Sequence, residues 1–457
     1  TLLMRRGDML PEYPSIWIQT TWEGGCHPVK LAPYTPGMLR TFSDNIMACM
    51  ILATSRGRGQ FDIKPKNTFL YGLAPLPYAT GVLPRVIANE IDIDFLPPVR
   101  EAEHLSFSEC NKLGFKLGMK KGIDYFFGLG SVACFISQSL GQMMTSGKSG
   151  AGLNIPVSTA VRYLAARARC RRENRPLKPR DLFTLRGFMV AGTDNNCYKD
   201  ELEELWGIRP LEVFAGTEPT CIGTETWTRD GMYFFPDSCF YEFIPEQEAE
   251  MSRRDPSYKP RTCLMDEVLT GEKYELIIST FKGGAFMRYR VGDVYRCIGI
   301  GCEADGTVLP RFQYVDRSRD IIDIAGFTRI SERSIEQAVR LSGLDIAFWT
   351  AAKEFTGSNK PFLHMYVEME RGTMGRTAVS QEILKDQLSI YFKYIDNDYK
   401  DLKRILGMDP LEITVLPCGT FEYFSRRLKR NIARFNPSPY DVRELLSAEN
   451  REGRERF

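Results

Sequence analysis

The chain has 457 residues, with 60 Lys and Arg against 58 Asp and Glu, a formal net charge of +2. So balanced a charge provides no global field for nucleic acid or for an acidic membrane surface. Hydrophobic residues are 43% and charged residues 26%, the mix of a folded globular protein, and the length exceeds what one core usually serves.

A large domain plus a smaller one is therefore expected. No run of about 18 apolar residues suits a membrane span. The opening residues 1–15 lack the apolar stretch of a secretion signal. Because the chain opens on Thr1 rather than Met, further native residues upstream are expected. The twelve cysteines form no CxxC pair, and the three histidines are His27, His104 and His364. A zinc site is not expected. Unpaired thiols in a long chain point to a reducing, cytoplasmic location.

Residues 36–56 carry apolar side chains at helical spacing. Residues 67–81 read as a strand running into a Pro/Gly loop. Residues 125–145 read as a buried helix and 154–173 as a second helix. Residues 182–194 form a strand ending in a glycine turn, 196–207 a helix closed by Gly207, and 209–218 a second strand-to-loop unit. This alternation predicts an α/β fold with a parallel sheet. From about 220 to 315 short strands follow one another closely, which predicts an antiparallel, barrel-like lobe. Within it, the polar stretch 246–262 reads as a mobile surface loop. A helix (331–342), strands (345–352 and 362–369), a long helix (380–406) and a strand (411–416) make a compact α+β unit. The charged segment Asp316–Asp320 divides a domain of residues 1–316 from one of 317–457.

Two stretches compete as a phosphate loop. Residues 143–150, Met-Met-Thr-Ser-Gly-Lys-Ser-Gly, have the composition of one. A Walker-type loop needs a glycine at 142, which is Gln142, and needs a strand before it. The stretch follows a helical pattern instead and reads as a turn. The alternative, residues 19–33, follows the apolar Ser15–Ile18. It offers hydroxyls at Thr20 and Thr21, paired glycines at Gly24 and Gly25, and a cation at Lys30.

Three downstream segments decide between them. Glu212–Glu218 ends a strand with Gly216, Thr217 and Glu218, a hydroxyl beside a carboxylate suited to phosphate and Mg²⁺. Met287–Asp293 places Asp293 after a strand, where a carboxylate accepts from ribose hydroxyls. Residues 316–336 join the two parts. In this order the segments resemble the adenylate-forming superfamily of acyl-CoA synthetases, peptide-synthetase adenylation domains and luciferases. Residues 235–245 and 274–299 and the stretch Leu416–Phe424 are similar to the plant-type acyl acid amido synthetases, the auxin-conjugating family. Residues 178–192 resemble the phenylacetate–CoA ligases.

The resemblance implies a large N-terminal adenylation domain, of α/β sheets plus a small β-barrel lobe, and a mobile C-terminal α+β domain. It implies ATP and Mg²⁺, with a small carboxylic acid and an amine or CoA as the other substrates. Thr20, Thr21, Gly24, Gly25 and Lys30 would hold the β- and γ-phosphates. Thr217 would meet the α-phosphate, Glu218 the Mg²⁺, Asp293 and Arg317 the ribose, and Gly192 and Thr193 the adenine. Arg319 takes the hinge-pivot position. The phosphate loop departs from the family's Ser-Ser-Gly-Thr-Ser, and Asn436 stands where the family has a catalytic lysine, leaving Lys429 or Arg434 for that role. Tyr78, Phe126 and Phe127 are expected to line the acid pocket, with ordinary core packing as the alternative. The basic run 162–180 reads as a solvated helix face. An amide-forming ligase, a CoA ligase and a nucleotide-binding relative without turnover all fit these motifs. Lys148→Ala is expected to leave ATP affinity unchanged in a calorimetric titration, whereas Lys30→Ala or Thr21→Ala weakens it; the reverse result would move the phosphate loop to 143–150.

Overall fold

The computed structural model describes residues 10–19, 31–74, 76–102, 104–105, 107–145, 157–317, 321–326, 328–370, 381–395, 399–406 and 408–452. Among these, 10–19 and 31–316 form one compact unit and Arg317 onward a second. The phosphate-loop residues Thr20, Thr21, Gly24, Gly25 and Lys30 lie outside the described residues, as do Arg319 and 146–150.

In the first unit β1 (Ile16–Gln19) and β2 (Leu31–Tyr34) pair antiparallel. Helix α1 (Pro36–Thr54) follows. The Thr35 hydroxyl accepts from the Met38 N–H at 3.2 Å, and Pro36 supplies a preset φ in the first turn. Then come β3 (Thr68–Gly72), α2 (Leu83–Glu90), β4 (Asp94–Leu96), α3 (Val99–Ala102), α4 (Phe107–Lys121), β5 (Tyr125–Leu129), α5 (Gly130–Thr145), α6 (Val157–Arg172), β6 (Gly187–Ala191), α7 (Lys199–Trp206), β7 (Leu211–Gly216), β8 (Thr220–Thr224) and β9 (Tyr233–Phe234). They build a seven-stranded sheet in the order β4-β3-β5-β6-β7-β8-β9. Strands β4 to β7 are parallel, and β8 and β9 turn back antiparallel.

Both faces of this sheet are buried, and the period of two sorts its side chains between them. Phe69, Tyr71, Tyr125, Phe127 and Met189 pack in a core that includes α1 and α2. Leu70, Phe126, Phe188 and Val190 pack in another that includes α4 and α7. The expected helix over 125–145 is therefore a strand followed by a helix. Its apolar run Tyr125–Leu129 sits inside the sheet, and a fully buried strand shows no alternation that would separate it from a buried helix. The Arg229 guanidinium donates to the last carbonyls of α1, Leu52 at 3.1 Å and Ala53 at 2.9 Å. Burial pulls its pKa down to about 10.

The β-rich lobe is β10 (Phe240–Pro245), β11 (Lys273–Ser279), β12 (Tyr289–Cys302) and β13 (Thr307–Arg317), a sheet in that order in which β11 is antiparallel to both β10 and β12. Among the described residues it is an open four-stranded sheet and closes into no barrel. The expected loop at 246–262 begins with helix α8 (Glu246–Arg254), where Glu250 pairs with Arg253 and Arg254 one turn on. Polar residues at helical spacing mimic a loop in composition.

The second unit holds β14 (Ile321–Ile324), β15 (Thr328–Ser331), α9 (Glu332–Ser342), β16 (Ile346–Phe355), β17 (Pro361–Met369), α10 (Gln381–Ile395), α11 (Tyr399–Leu406), β18 (Leu411–Leu416), α12 (Thr420–Leu428) and α13 (Pro439–Glu452). Strands β16, β17 and β18 form one sheet, the last pair parallel. The helix expected over 380–406 is described as two, α10 and α11.

The basic run at 162–180 is partly neutralised inside the fold. Arg175 makes two bonds of 2.8 Å to Asp181, and Lys178 pairs with Glu204. Burial pushes the Asp181 carboxyl up, but hydrogen bonds from Arg175 and the Lys178 N–H outweigh it and bring the pKa down to about 2. A depressed carboxylate pKa contributes stability above the unfolded pKa of 3.8 and loses it as pH falls toward 2. Asp181→Asn should lower urea stability at pH 7 and flatten its loss between pH 4 and 2. Equal slopes in the two proteins would show that the pair is not linked to folding.

Candidate active site

Ligands of doubly wound sheets bind outside the carboxyl ends of the strands. Strand β6 ends at Ala191, and Gly192 follows with φ of 102°, a conformation that a side chain would strain. Thr193 and Asp194 complete the loop before a short turn at Asn195–Cys197. Strand β7 ends at Gly216 and returns as β8, with Gly216 opposite Thr220, so Thr217, Glu218 and Pro219 form the tip of a hairpin.

Two tyrosines fix this tip. The Tyr34 hydroxyl donates to the Thr217 carbonyl at 2.8 Å, and the Tyr289 hydroxyl donates to Glu218 Oε1 at 3.1 Å. Burial, and then the charge of Glu218, push the Tyr34 phenol pKa up, so it stays a neutral donor. Tyr289 opens β12, and six residues on Tyr295 packs edge-on against Phe214 of β7, with centroids 5.3 Å apart. Asp293 lies between these two contacts and is 5% exposed. The register of β11 and β12 slips there. Glu275 faces Val294 while Ile277 faces Arg290, so β12 carries extra residues, among them Gly292 with φ of 82°. The bulge redirects Asp293 out of the regular ladder. Thr217, Glu218 and Asp293 are thereby brought onto joined elements of one unit. Arg317 ends β13 and belongs to the second unit.

For a divalent cation the donor set is sparse. Among the described residues no three His, Cys, Asp or Glu side chains cluster in a way that holds a metal. Glu218 alone fits Mg²⁺ in its usual mode, one carboxylate with the rest of the shell from phosphates and water.

In the second unit Lys429 caps α12 in the left-handed region, with φ of 52°, and is exposed. Arg434 is engaged. Its guanidinium lies 2.8 Å from Glu336 and over the Trp349 ring at 5.0 Å. Asn436 acts as a backbone pin, its N–H donating to the Ala351 carbonyl at 2.8 Å.

Phe126 and Phe127 are each 1% exposed, on opposite faces of β5. Phe126 stacks on Phe188 at 5.0 Å and tilts against Trp206 at 5.3 Å. These rings pack the layers and line no cavity described. Tyr78 is half-buried and precedes a helical turn at Ala79–Val82. Beside that turn, Leu76 and Gly81 line a small apolar cavity with Tyr71, Leu73, Phe95 and Cys110, near the ends of β3 and β4. A larger cavity of about 680 Å³ opens elsewhere, lined by Asp124 and Arg186, which precede β5 and β6. It lies at the amino edge, away from the hairpin tip, and its lining also includes Thr54 and Lys121 at the ends of α1 and α4.

Sequence reasoning passed over a buried ion cluster behind the two loops. Lys199, 2% exposed, reaches Glu212 at 2.6 Å and Glu225 at 2.7 Å. Glu225 also accepts from the Glu212 N–H at 2.8 Å. Burial pulls the Lys199 pKa down, but the two carboxylates outweigh it and push it up, so the ammonium stays charged. Burial pushes Glu225 up. The signal was present in Leu211-Glu212-Val213-Phe214, where a carboxylate interrupts a buried strand and must find a partner.

Over 93% of its length the chain superposes on 2-hydroxyisobutyryl-CoA ligase bound to 2-HIB-AMP and CoA, covering 77% of that structure with a TM-score of 0.51 and 14% identity. The fold is that of the adenylate-forming ligases. The model of the GH3 family central domain matches residues 232–317, the stretch that holds Asp293 and Arg317. Indole-3-acetic acid-amido synthetase GH3.3 of Arabidopsis thaliana is 24% identical over 197 residues, 41% of this chain and 30% of that protein. The GH3.15 synthetase of the same plant is 26% identical over 193 residues, 40% of this chain and 31% of its own length. The chain is similar to these GH3 synthetases over about 40% of its length, and it spans about 30% of the length of those relatives.

Phe126→Ala should cost about 3–5 kcal/mol in urea unfolding, the usual cost of emptying a buried phenyl site. If Phe126→Leu instead altered only the KM for an acid and left stability intact, the ring would belong to the substrate pocket.

Proposed function

We propose that the chain is an ATP-dependent acyl-acid ligase that joins a small carboxylic acid to an amine, with an amino acid as the favoured acceptor. The observation that carries this reading is the Thr217–Glu218 hairpin tip, held by Tyr34 and Tyr289 beside the strand of Asp293. In the first half-reaction a carboxylate oxygen attacks the α-phosphorus of ATP, and pyrophosphate leaves. In the second the amine nitrogen attacks the acyl carbon, loses a proton, and AMP leaves. Neither step calls for a covalent bond to the protein, so its work is alignment and charge compensation. Alignment can supply roughly 7–11 kcal/mol of the barrier.

The proposed division of labour is the one that the resemblance implies. The hydroxyl of Thr217 meets the α-phosphate, Asp293 and Arg317 grip the ribose, and Gly192 and Thr193 flank the base. Thr20, Thr21, Gly24, Gly25 and Lys30 hold the terminal phosphates. Glu218 would hold Mg²⁺, which supplies charge neutralisation on the phosphates when bound. Arg434 is tied to Glu336, whereas Lys429 is exposed and forms no ion pair with a described residue, which favours Lys429 for the role left open by Asn436. The second unit would swing about the segment after Asp316 between half-reactions. No helix among the described residues is long and apolar enough to cross a membrane. The described cysteines are free thiols, which supports a reducing, cytoplasmic setting. The internal pairing of Arg175 and Lys178 supports a structural role for the basic run over nucleic-acid binding.

The test is acid-dependent exchange of labelled pyrophosphate into ATP, with products then identified by mass spectrometry against amino acids and CoA. Exchange with some acid, and an amide product, is expected. A thioester product would make the protein a CoA ligase, and ATP binding without exchange for any acid would make it a binding relative. Lys429→Ala should slow exchange by about 10²–10³, the usual loss for one charged stabiliser. Unchanged exchange in both Lys429→Ala and Arg434→Ala would remove these residues from the mechanism.

A further inference from the structure

The side chain of Asn195 joins the buried cluster to the loop at Gly192. Asn195 is 1% exposed. Its Nδ2 donates to the Gly192 carbonyl at 2.7 Å and to Glu212 Oε1 at 3.3 Å. Its Oδ1 lies against Gly130, so close that a Cβ there would stand 2.5 Å away. Gly130 follows β5, Gly192 follows β6, and Glu212 is inside β7. One amide thus touches the ends of two neighbouring strands and the body of a third. Glu212 is held in turn by Lys199, whose other bond goes to Glu225, one residue after β8.

Nothing in local structure calls for these charges. Lys199 opens α7, at the helix end where a cation is disfavoured. Two carboxylates and an ammonium in the interior carry a desolvation cost that apolar residues would avoid. What the arrangement adds is position. Hydrogen bonds have narrow distance and angle limits, whereas apolar packing tolerates sliding.

We propose that Asn195, locked by the Lys199–Glu212–Glu225 cluster, is the positioning residue that sets the Gly192–Thr193 loop against the Thr217–Glu218 hairpin and thereby fixes how the nucleotide base is held. This rests on the ligase reading, in which those two segments flank one ATP. Asn195 touches no substrate. It acts through the carbonyl of Gly192, while Lys199 and Glu225 fix the carboxylate that Asn195 leans on.

The test uses the full chain with ATP as probe. Asn195→Ala removes the bond to Gly192 and leaves Lys199 between its two carboxylates. The expected result is a KM for ATP raised about tenfold, the upper range for one lost hydrogen bond. The KM for the acid, and kcat at saturating ATP, should hold. Thermal unfolding should remain cooperative. Gly130→Ala, which crowds Asn195 Oδ1 from the other side, should shift KM for ATP in the same direction. Asn195→Asp, which keeps an oxygen but loses the donor, should not rescue. Amide hydrogen exchange at 192–195 should quicken in Asn195→Ala with or without ATP, a readout independent of catalysis. Wild-type ATP kinetics in Asn195→Ala and Gly130→Ala, with exchange at 192–195 unchanged, would overturn the positioning role while leaving the ligase reading intact. A wild-type protein that fails to bind ATP would overturn both.

Discussion

A parallel sheet covered on both faces leaves polar chemistry only its edges. In the first unit α1 and α2 pack on one side and α4 and α7 on the other. Every side chain in the middle of β3, β5 and β6 is accordingly apolar and buried. The chain can bend freely, and present hydroxyls and carboxylates, only where the strands stop. Gly192, Thr193, Thr217 and Glu218 all fall at such stops. Their place at the sheet's edge follows from the layering before any question of chemistry arises.

Strand β7 departs from this rule and shows how the edge is made rigid. Glu212 enters the interior, and the interior answers with Lys199, Glu225 and the amide of Asn195. On the other side of the same strand's end, two tyrosine hydroxyls hold the turn that follows it. Phe214 and Tyr295 then tie β7 to the strand of Asp293. Buried polar contacts cost more than apolar packing in stability and return precision in geometry. A site proposed to align two reactants on a phosphate has use for that exchange.

Much of the α/β alternation was legible because helices with one apolar face and caps announce themselves. Pro36 and Gly207 mark true ends. The failures have common causes. Tyr125–Leu129 is buried on both faces, so its period is hidden. Helix α8 is polar on most sides and is stabilised by Glu–Arg pairs that composition alone does not separate from a loop. For the rings of Phe126 and Phe127 the sequence left pocket lining and core packing both open, and their burial on opposite faces of one strand is an outcome of sheet order. Barrel closure likewise depends on whether outer strands meet, and the outer strands β10 and β13 do not pair.

The sequence by itself determined where the turns of the candidate site stand, since Phe214–Glu218 and Tyr289–Asp293 are local strings whose glycines and carboxylates carry their meaning at short range. It also determined that the interior would have to absorb Glu212, because a carboxylate in a buried strand has no water to turn to. Only the tertiary structure decided the partners. Lys199 is 13 residues from Glu212 and 26 from Glu225 in the chain, while Tyr34 is 183 from Thr217. Local propensity acts over a few residues and cannot select contacts at such separations. Strand order and the packing of α7 and β2 on the sheet bring those groups within 3 Å, and it is there that the site acquires its shape.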